Sequence, residues 1–183
     1  MVIFVDKLIP GTDSATLEKT HVLNLKDTCA MSMDYYNDTE NPDSEISRLV
    51  YGTDSGYVYV YDFPNKLFAD RGPRKKDSHV EINMEILHTK SAKYFGLLQK
   101  RKAHADWTVK VRYYHSIKAI VSCSPDSVNS LVLATEDSNG RWSTVTASVQ
   151  KGISCFAYCT LPVALVTGSA GKSFSKNSKL INK

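Results

Sequence analysis

The chain has 183 residues, of which 42% are hydrophobic and 23% are charged, a balance typical of a globular protein with one sizeable core. This balance excludes collagen-like, coiled-coil and wholly disordered chains. No stretch approaches the roughly 18 to 20 apolar residues of a membrane-spanning helix, and Asp6 and Lys7 stand where a signal peptide would be apolar. We therefore expect an unsecreted, cytoplasmic protein that does not bind membranes.

The net charge of +4 is unevenly distributed along the chain. Residues 71–102 carry nine Lys or Arg against three acidic residues, and residues 170–183 carry four lysines and no acid. The rest of the chain therefore has six more acidic than basic residues. This pattern predicts a basic loop and a basic, disordered tail on a mildly acidic body.

Four cysteines, Cys29, Cys123, Cys155 and Cys159, lie in apolar segments and form no CxxC pair. Buried free thiols are favoured over disulfides or zinc ligands, and they indicate a reducing compartment. Cys155 and Cys159 are four residues apart, and we expect them to share a face only on a helix, not on a strand. No metal site and no cofactor is predicted.

Short strands account for most of the chain. We predict them at residues 2–5, 21–25, 29–35, 48–51, 57–62, 80–87, 107–113, 119–122, 130–135, 143–149, 154–158 and 163–167. The clearest are WTVKVRY at 107–113, which alternates strictly, and YVYVYD at 57–62, which forms a hairpin with 48–51 around the turn GTDSG. Residues 91–102 favour a loop or a short helix. No long amphipathic helix competes, so the predicted class is all-β.

The sequence repeats at a spacing of 45 residues. FAYCTLPVALVTGS at 156–169 aligns without a gap on VRYYHSIKAIVSCS at 111–124. A third copy consists of MDYY at 33–36 and RLVYGTDSGYVYVYD at 48–62, with an insertion between them. All-β units of this length are typical of a β-propeller whose blades each have about four strands.

This periodicity leads us to expect three- or four-stranded antiparallel sheets arranged radially. Residues 57–62 should form a central strand of one sheet, and residues 107–113 an innermost strand of the next. A parallel sheet or a helical bundle would contradict this architecture.

The hairpin GTDSGYVYVYD resembles the signature of WD-repeat proteins, in which a turn rich in Asp and Gly precedes an apolar strand that ends on Trp-Asp. Tyr61 and Asp62 stand in that last place. Over residues 100–169 the chain is most similar to the group of WD-repeat proteins that includes the Y-chromosome WD repeat-containing protein (WDY). Members of that group also carry an EF-hand region. Residues 34–45 lack the spacing that calcium coordination requires, so no calcium site is carried over.

The resemblance implies a hydrogen-bonded link in the blade that begins at Trp107. His104 takes the place of the family's Gly-His histidine, Ser122 that of its strand serine and Asp126 that of its turn aspartate. In the family these residues join Asp to His to Ser to Trp. Here Ala103 replaces the glycine and no Trp follows Asp126. We therefore expect a partial link, with His104 within hydrogen-bonding range of Asp126 or Ser122.

The resemblance also implies an open, partial propeller of about three four-stranded blades at residues 1–169. We place blade pieces at residues 1–25, 28–98, 104–149 and 152–169, a long basic insertion between blades at 63–103, and the tail at 170–183. A closed ring needs at least four blades, so the chain is expected to be a fragment whose missing blades are partners. Exposed sheet faces should then make the isolated chain self-associate.

Two residue patterns with catalytic or binding chemistry have structural alternatives. His104, Asp126 and Ser122 include the residue types of a catalytic triad, but Ser122 lies in a predicted strand rather than on an exposed elbow. GSAGKS at 168–173 is too short for a phosphate-binding loop. We therefore expect no enzymatic activity from either pattern.

The remaining candidate site is basic, and it consists of Arg71, Arg74, Lys75, Lys76, Lys100, Arg101 and Lys102. These side chains suit nucleic acid or an acidic partner. The alternative is a solvated loop between blades, because no aromatic residue is interleaved with the charges. A non-enzymatic scaffold that binds protein partners is the first expectation, and nucleic-acid or acidic-partner binding through residues 71–102 is the second.

Overall fold

The computed structural model describes residues 2–10, 15–25, 29–37, 46–65, 79–83, 85, 96–161, 163–170 and 176–177. In chain order its strands are β1 (Val2–Pro10), β2 (Ala15–Asn24), β3 (Ala30–Asn37), β4 (Ile46–Thr53), β5 (Tyr57–Pro64), β6 (Val80–Asn83), β7 (Gly96–Lys102), β8 (Lys110–Tyr114), β9 (Ala119–Cys123), β10 (Leu131–Glu136), β11 (Trp142–Ala147), β12 (Cys155–Thr160), β13 (Val163–Gly168) and β14 (Lys176–Asn177). A single 3₁₀ turn at His115–Ile117 follows β8. The described residues are therefore all-β, as the sequence predicts.

The chain divides into two compact units. The first comprises residues 1–28, 37–48 and 61–98, and the second comprises residues 29–36, 49–60 and 99–183. The basic residues of 71–76, most of the tail, and residues 171–173 of GSAGKS lie outside the described residues.

The sheet of the first unit has the order β1-β2-β6. β1 and β2 form an antiparallel hairpin whose register shifts between Val5 and Asp6. β6 runs parallel to β2, with His21 opposite Val80. The expectation of antiparallel pairing throughout is therefore wrong for this sheet, because the long connection from β2 to β6 lets the chain return in the same direction.

A buried ion pair also belongs to the first unit. The guanidinium of Arg48 donates to both carboxylate oxygens of Asp62, at 2.7 and 2.9 Å, and each side chain is about one-tenth exposed. This fork is the bidentate geometry that suits a desolvated Arg–carboxylate pair. Asp62, which the sequence places at the end of the signature strand, is thus held by a cation on the partner strand.

The second sheet has the order β3-β4-β5-β7, so β5 is a central strand, as predicted. The hairpin of β4 and β5 around GTDSG is also confirmed. The expectation of a loop or short helix at 91–102 is wrong for its last part, because residues 96–102 form β7. Its Lys and Arg obscure a two-residue alternation in which one side of the strand is half-buried.

The third sheet, β11-β10-β9-β8, is antiparallel, and the fourth has the order β12-β13-β14. Their first hairpins have the same register at an offset of 45 residues. Val111 pairs with Ser122 and Phe156 with Thr167, and the other pairs follow the same shift. The ungapped sequence repeat is therefore also a repeat of strand pairing.

Two apolar layers lie in the second unit. One joins Val50, Val58 and Val60 of the second sheet to Val111, Ile120, Val132 and Ala134 of the third. The other joins Ala119, Val121, Leu131 and Leu133 of the third sheet to Phe156 and Leu165 of the fourth. Because Val111 and Ile120 correspond to Phe156 and Leu165 under the 45-residue shift, successive sheets pack with equivalent faces.

The start of β8 differs from the sequence expectation. The strand predicted at 107–113 begins only at Lys110, and Trp107 and Val109 are 44% and 36% exposed. Residues 103–109 instead form a connecting loop whose backbone amides bond to neighbouring strands and turns. The alternation of apolar and polar side chains continues through residues 107–109, and the predicted strand therefore included the end of this loop.

Candidate functional site

The loop at residues 103–109, which leads into β8, is fastened to the turn between β4 and β5. The amides of Ala103 and His104 both donate to the carbonyl of Gly56, at 3.0 and 3.1 Å, and the amide of Thr108 donates to the carbonyl of Thr53 at 2.9 Å. Gly56 has a φ of +72°, and a Cβ there would lie 2.3 Å from the carbonyl oxygen of His104. Only glycine allows this approach. We call the contact between residues 53–56 and 103–109 the first joint.

His104 also ties this loop to the third sheet. Its imidazole is 1% exposed; Nδ1 lies 2.5 Å from the carbonyl oxygen of Asn129, and Nε2 lies 2.8 Å from the hydroxyl of Ser122. A carbonyl only accepts, so Nδ1 carries the proton. Burial lowers the pKa of His104, against the opposing effects of the Asn129 carbonyl and the Asp126 charge. The neutral ring therefore accepts a hydrogen bond from Ser122.

Asp126 joins the same loop through backbone groups rather than through the imidazole. One carboxylate oxygen accepts from the amide of Ala105 at 2.8 Å and the other from the amide of Val128 at 2.9 Å. Burial acts to raise the pKa of Asp126, but the amides of Val128, Ala105 and Asn129, together with His104, lower it. The structure thus brings His104, Ser122 and Asp126 to one site. Asp126 is bonded to the amide of Ala105, the residue after the histidine, and not to the imidazole.

The His104–Ser122 pair has the atoms of a nucleophile and its base, but its surroundings suit a structural role. Ser122 is 2% exposed and lies within β9, where it pairs with Val132 and Val111. A substrate carbonyl would have to enter between two packed sheets to reach the hydroxyl. Catalytic serines lie instead at an exposed position beside oxyanion donors.

A second joint, in the loop that leads into β12, repeats one backbone hydrogen bond of the first joint. The amide of Ile153 donates to the carbonyl of Ser124 at 2.8 Å, just as that of Thr108 donates to Thr53. Thr108 and Ile153 are 45 residues apart. Gly152 has a φ of +65°, and a Cβ there would lie 2.3 Å from the backbone of Pro125. We call the contact between residues 124–130 and 149–154 the second joint.

The side chains of the second joint differ from those of the first. In place of a histidine link, the buried hydroxyl of Ser130 donates to the carbonyl of Asp126 at 2.6 Å and accepts from the amide of Val149 at 2.8 Å. Ile153 is 1% exposed and belongs to the apolar layer between the third and fourth sheets. In the first joint the equivalent Thr108 is fully buried, and its hydroxyl has no hydrogen-bond partner among the described residues.

First strands of neighbouring sheets are joined by side chains that the sequence analysis did not single out. Ser32 on β3 accepts from the amide of Val111 at 3.0 Å. Asp34, also on β3, accepts from the amide of Tyr113 at 2.9 Å and pairs with Arg112 at 2.7 Å. These bonds satisfy the outward amides of the edge strand β8. The only sequence signal is a polar residue at every second position of β3.

Tyrosines repeat the same step between first strands. The ring of Tyr36 lies 5.4 Å from that of Tyr113, and the ring of Tyr114 lies 4.9 Å from that of Tyr158. Both are pairs of ring centroids at the distance typical of aromatic contacts. The two pairs occupy equivalent places in MDYY, VRYY and FAYC. The repeated tyrosines thus mark successive first strands.

The candidate basic residues divide into a described and an undescribed part. Arg71, Arg74, Lys75 and Lys76 lie outside the described residues. Lys100, Arg101 and Lys102 lie on the edge strand β7, not in a loop. Arg101 faces the third sheet, where it donates to the hydroxyl of Thr144 at 2.6 Å. Lys100 and Lys102 are exposed on the other side of the strand.

The four cysteines are free thiols, but only Cys123 is buried, so the expectation of buried thiols is wrong for the other three. Burial raises the pKa of Cys123 to about 12. Cys155 and Cys159 do share a face of β12, contrary to expectation, because side chains four residues apart on a strand also point to the same side. They are nevertheless about 13 Å apart along the strand, too far to form a chelating pair.

Within the described ranges no group of three or more His, Cys, Asp or Glu residues could hold a metal ion. In the same part of the chain no helix has the length and apolar character needed to cross a membrane. No family model matches the chain.

Proposed function

We propose that the chain is part of a non-enzymatic β-propeller scaffold of the WD-repeat kind that binds protein partners. The observation that carries the proposal is the repeat of one joint and one strand register at 45-residue spacing. The second and third sheets are each fastened to the loop that leads into the next sheet, which is how a repeat fold propagates its packing. The resemblance in GTDSGYVYVYD and in the His104 link points to the same fold.

The chemistry of the candidate site supports a structural role over a catalytic one. Both nitrogens of His104 are engaged, and Ser122 is buried in a strand. Binding would then use the exposed loops and strand faces around this rigid frame. The four free cysteines favour work in a reducing, cytoplasmic compartment.

Affinity capture with the whole chain as bait tests the scaffold function. Scaffold function predicts a defined set of proteins that survives nuclease treatment and is lost when the bait is heat-unfolded before use. Recovery of RNA alone, or loss of all bound protein after nuclease, would contradict it. Equal recovery on the unfolded bait would show that capture is nonspecific.

Binding to nucleic acid or to an acidic partner through residues 71–102 is a second candidate function. It is favoured by the exposure of Lys100 and Lys102 on one side of β7, since no carboxylate among the described residues forms an ion pair with either. The same capture experiment separates nucleic-acid binding from the first function, because nuclease removes a nucleic-acid partner and leaves a protein one. An acidic protein partner would be one case of the scaffold function.

A further inference from the structure

The edge strand β7 presents two cations in a fixed arrangement. The ammonium of Lys100 lies 5.1 Å from the ring centre of Tyr57 and 5.4 Å from that of Tyr59, and the ammonium of Lys102 lies 5.3 Å from that of Tyr57. Lys102 also donates to the carbonyl of Ser55. These contacts hold both ammonium groups beside the tyrosine rings. The two lysine side chains therefore lose less conformational entropy when a partner binds.

The spacing of these cations matches an extended chain. Lys100 and Lys102 are two residues apart on one side of a strand, and such side chains are separated by about 7 Å. Alternate side chains of an added strand have the same spacing. Two carboxylates at positions i and i+2 of a peptide would therefore face the two ammonium groups.

The backbone of β7 offers the matching hydrogen bonds. β7 is at the edge of its sheet, and within the described part of the chain no strand pairs with its outer side. An edge strand displays unpaired amide and carbonyl groups, which an extended peptide can extend into a further ladder. The face of β7 opposite to the two lysines is already in contact with the third sheet, because Arg101 is bonded to Thr144.

We propose that β7 binds an acidic, extended peptide segment by strand addition, with alternate Asp or Glu side chains at Lys100 and Lys102. The observations favour a peptide over nucleic acid, since single-stranded nucleic acid needs open aromatic faces for its bases. Here lysines cover the faces of Tyr57 and Tyr59, and Tyr59 is only 4% exposed. The inference rests on the proposed scaffold function and names the chemistry of one partner.

Fluorescence anisotropy with the whole chain tests this. The probes are a short labelled peptide with Glu at every second position, an isomer of the same composition with its Glu residues in one block, and a labelled oligothymidylate. The alternating peptide should bind about tenfold more tightly than the block isomer, a difference that two paired carboxylates would account for. N-methylation of alternate peptide amides should abolish binding, because it removes the ladder hydrogen bonds.

The double variant Lys100→Glu with Lys102→Glu should weaken the alternating peptide by at least about tenfold, since attraction becomes repulsion at both positions. The matched control is Lys118→Glu with Lys151→Glu, which makes the same charge change at exposed lysines elsewhere and should leave binding unchanged. Lys100→Gln with Lys102→Gln gives the neutral comparison should the glutamate variant unfold.

Three results would overturn the proposal. Equal binding of the two peptide isomers would show that the alternating spacing of the carboxylates does not matter, which contradicts strand addition. Equal loss of binding in the control variant would show that only the net charge of the protein matters. Tighter binding of the oligothymidylate through the same lysines would assign the surface to nucleic acid. If peptide binding fails while nuclease-resistant protein capture persists, this inference falls and the scaffold function stands.

Discussion

The two joints of the second unit share one backbone hydrogen bond and differ in their other contacts. In each, an amide 45 residues from its counterpart, that of Thr108 or Ile153, donates to the carbonyl at the end of the preceding second strand. Each joint also includes a glycine with positive φ, which lies in the hairpin turn in the first joint and in the connecting loop in the second. The loop of the first joint also carries a buried histidine, which ties the loop to Ser122 and Asn129 of the third sheet. The second joint uses Ser130 and the apolar Ile153 instead.

This difference indicates which part of the repeat is general. The bond from Thr108 or Ile153 and a close backbone approach at a glycine are common to both joints, so they set the relation of one sheet to the next. The histidine link occurs only in the loop of the first joint, where it fixes residues 103–109 to the third sheet through buried polar groups. The four predictions below, from the largest expected effect to the smallest, test this division.

The glycines should matter most, and about equally in the two joints. Gly152→Ala would place a side chain at positive φ and 2.3 Å from the backbone of Pro125. We expect a loss of about 3 kcal/mol in the free energy of unfolding, from backbone strain and overpacking together. Gly56→Ala should lose a similar amount. Urea unfolding of the whole chain measures both.

Gly140→Ala is the matched control, since Gly140 has a φ of +73° but a Cβ there would lie 4.0 Å from the nearest described atom, at the end of the Glu136 side chain. It should lose only the strain, about 1 kcal/mol. If the three variants lose the same amount, close approach is unimportant and the joints are held in some other way.

The histidine link should have the next largest effect, and only in the first joint. His104→Ala leaves the buried Ser122 hydroxyl and the Asn129 carbonyl without their partner, which predicts a loss of about 1 to 3 kcal/mol. Ser122→Ala and the double variant complete a thermodynamic cycle that isolates the His104–Ser122 term. An unchanged melting temperature in His104→Ala would show that the first joint is as independent of side chains as the backbone pattern alone suggests.

Acid should destabilise the first joint through the same residue. The folded pKa of His104 lies below its ordinary value of 6.5, mainly because of burial. As the pH falls below about 6.5 the unfolded chain takes up a proton that the folded chain resists, so the stability supplied by the neutral ring is lost. Asp126, whose folded pKa is also lowered, adds to the loss at lower pH.

Melting curves of wild type and His104→Ala across pH 5 to 8 check this. The wild type should lose more stability on acidification than the variant, and the difference should develop below about pH 6.5. Parallel pH profiles for the two proteins would assign the acid sensitivity to other groups and contradict the role given to the buried imidazole.

Thr108 should show the smallest effect, with the opposite sign. Within the described part of the chain its buried hydroxyl has no hydrogen-bond partner, whereas the equivalent residue of the second joint is Ile153. Thr108→Val keeps the shape and removes the unsatisfied group, so stability should rise by about 1 kcal/mol. A loss of stability would mean that the hydroxyl has a role in the first joint, and Thr108→Ser, which keeps the hydroxyl, separates that case from a packing defect.

The sequence was most informative where side chains alternate or repeat. The hairpin of β4 and β5 and the paired strands of the third and fourth sheets follow from β-branched runs, turn residues and the 45-residue spacing. It failed at β7, where Lys100 and Lys102 disguised a strand whose long side chains lie over tyrosines. It also failed at Cys155 and Cys159, whose apolar neighbours suggested burial although their side of β12 is exposed.

The candidate site was found only in part. His104, Ser122 and Asp126 were identified from the resemblance, and they do lie at one site. The roles of Ser32 and Asp34 had no such signal, because they bond to the backbone of a strand 79 residues away in the sequence. Contacts between a side chain and a distant amide depend on how sheets pack, which a local pattern does not encode.

By itself the sequence determined the all-β class, the order of the hairpins and the spacing of the repeat, since strand periodicity and turn residues act over a few neighbouring positions. Only the tertiary structure decided which polar groups find partners. The parallel return of β6 beside β2 and the bonds that Ser32 and Asp34 accept from amides of β8 join residues separated by long connections. Such pairs form because buried polar groups and edge strands must be satisfied, and the groups available to satisfy them are fixed only when the sheets have packed.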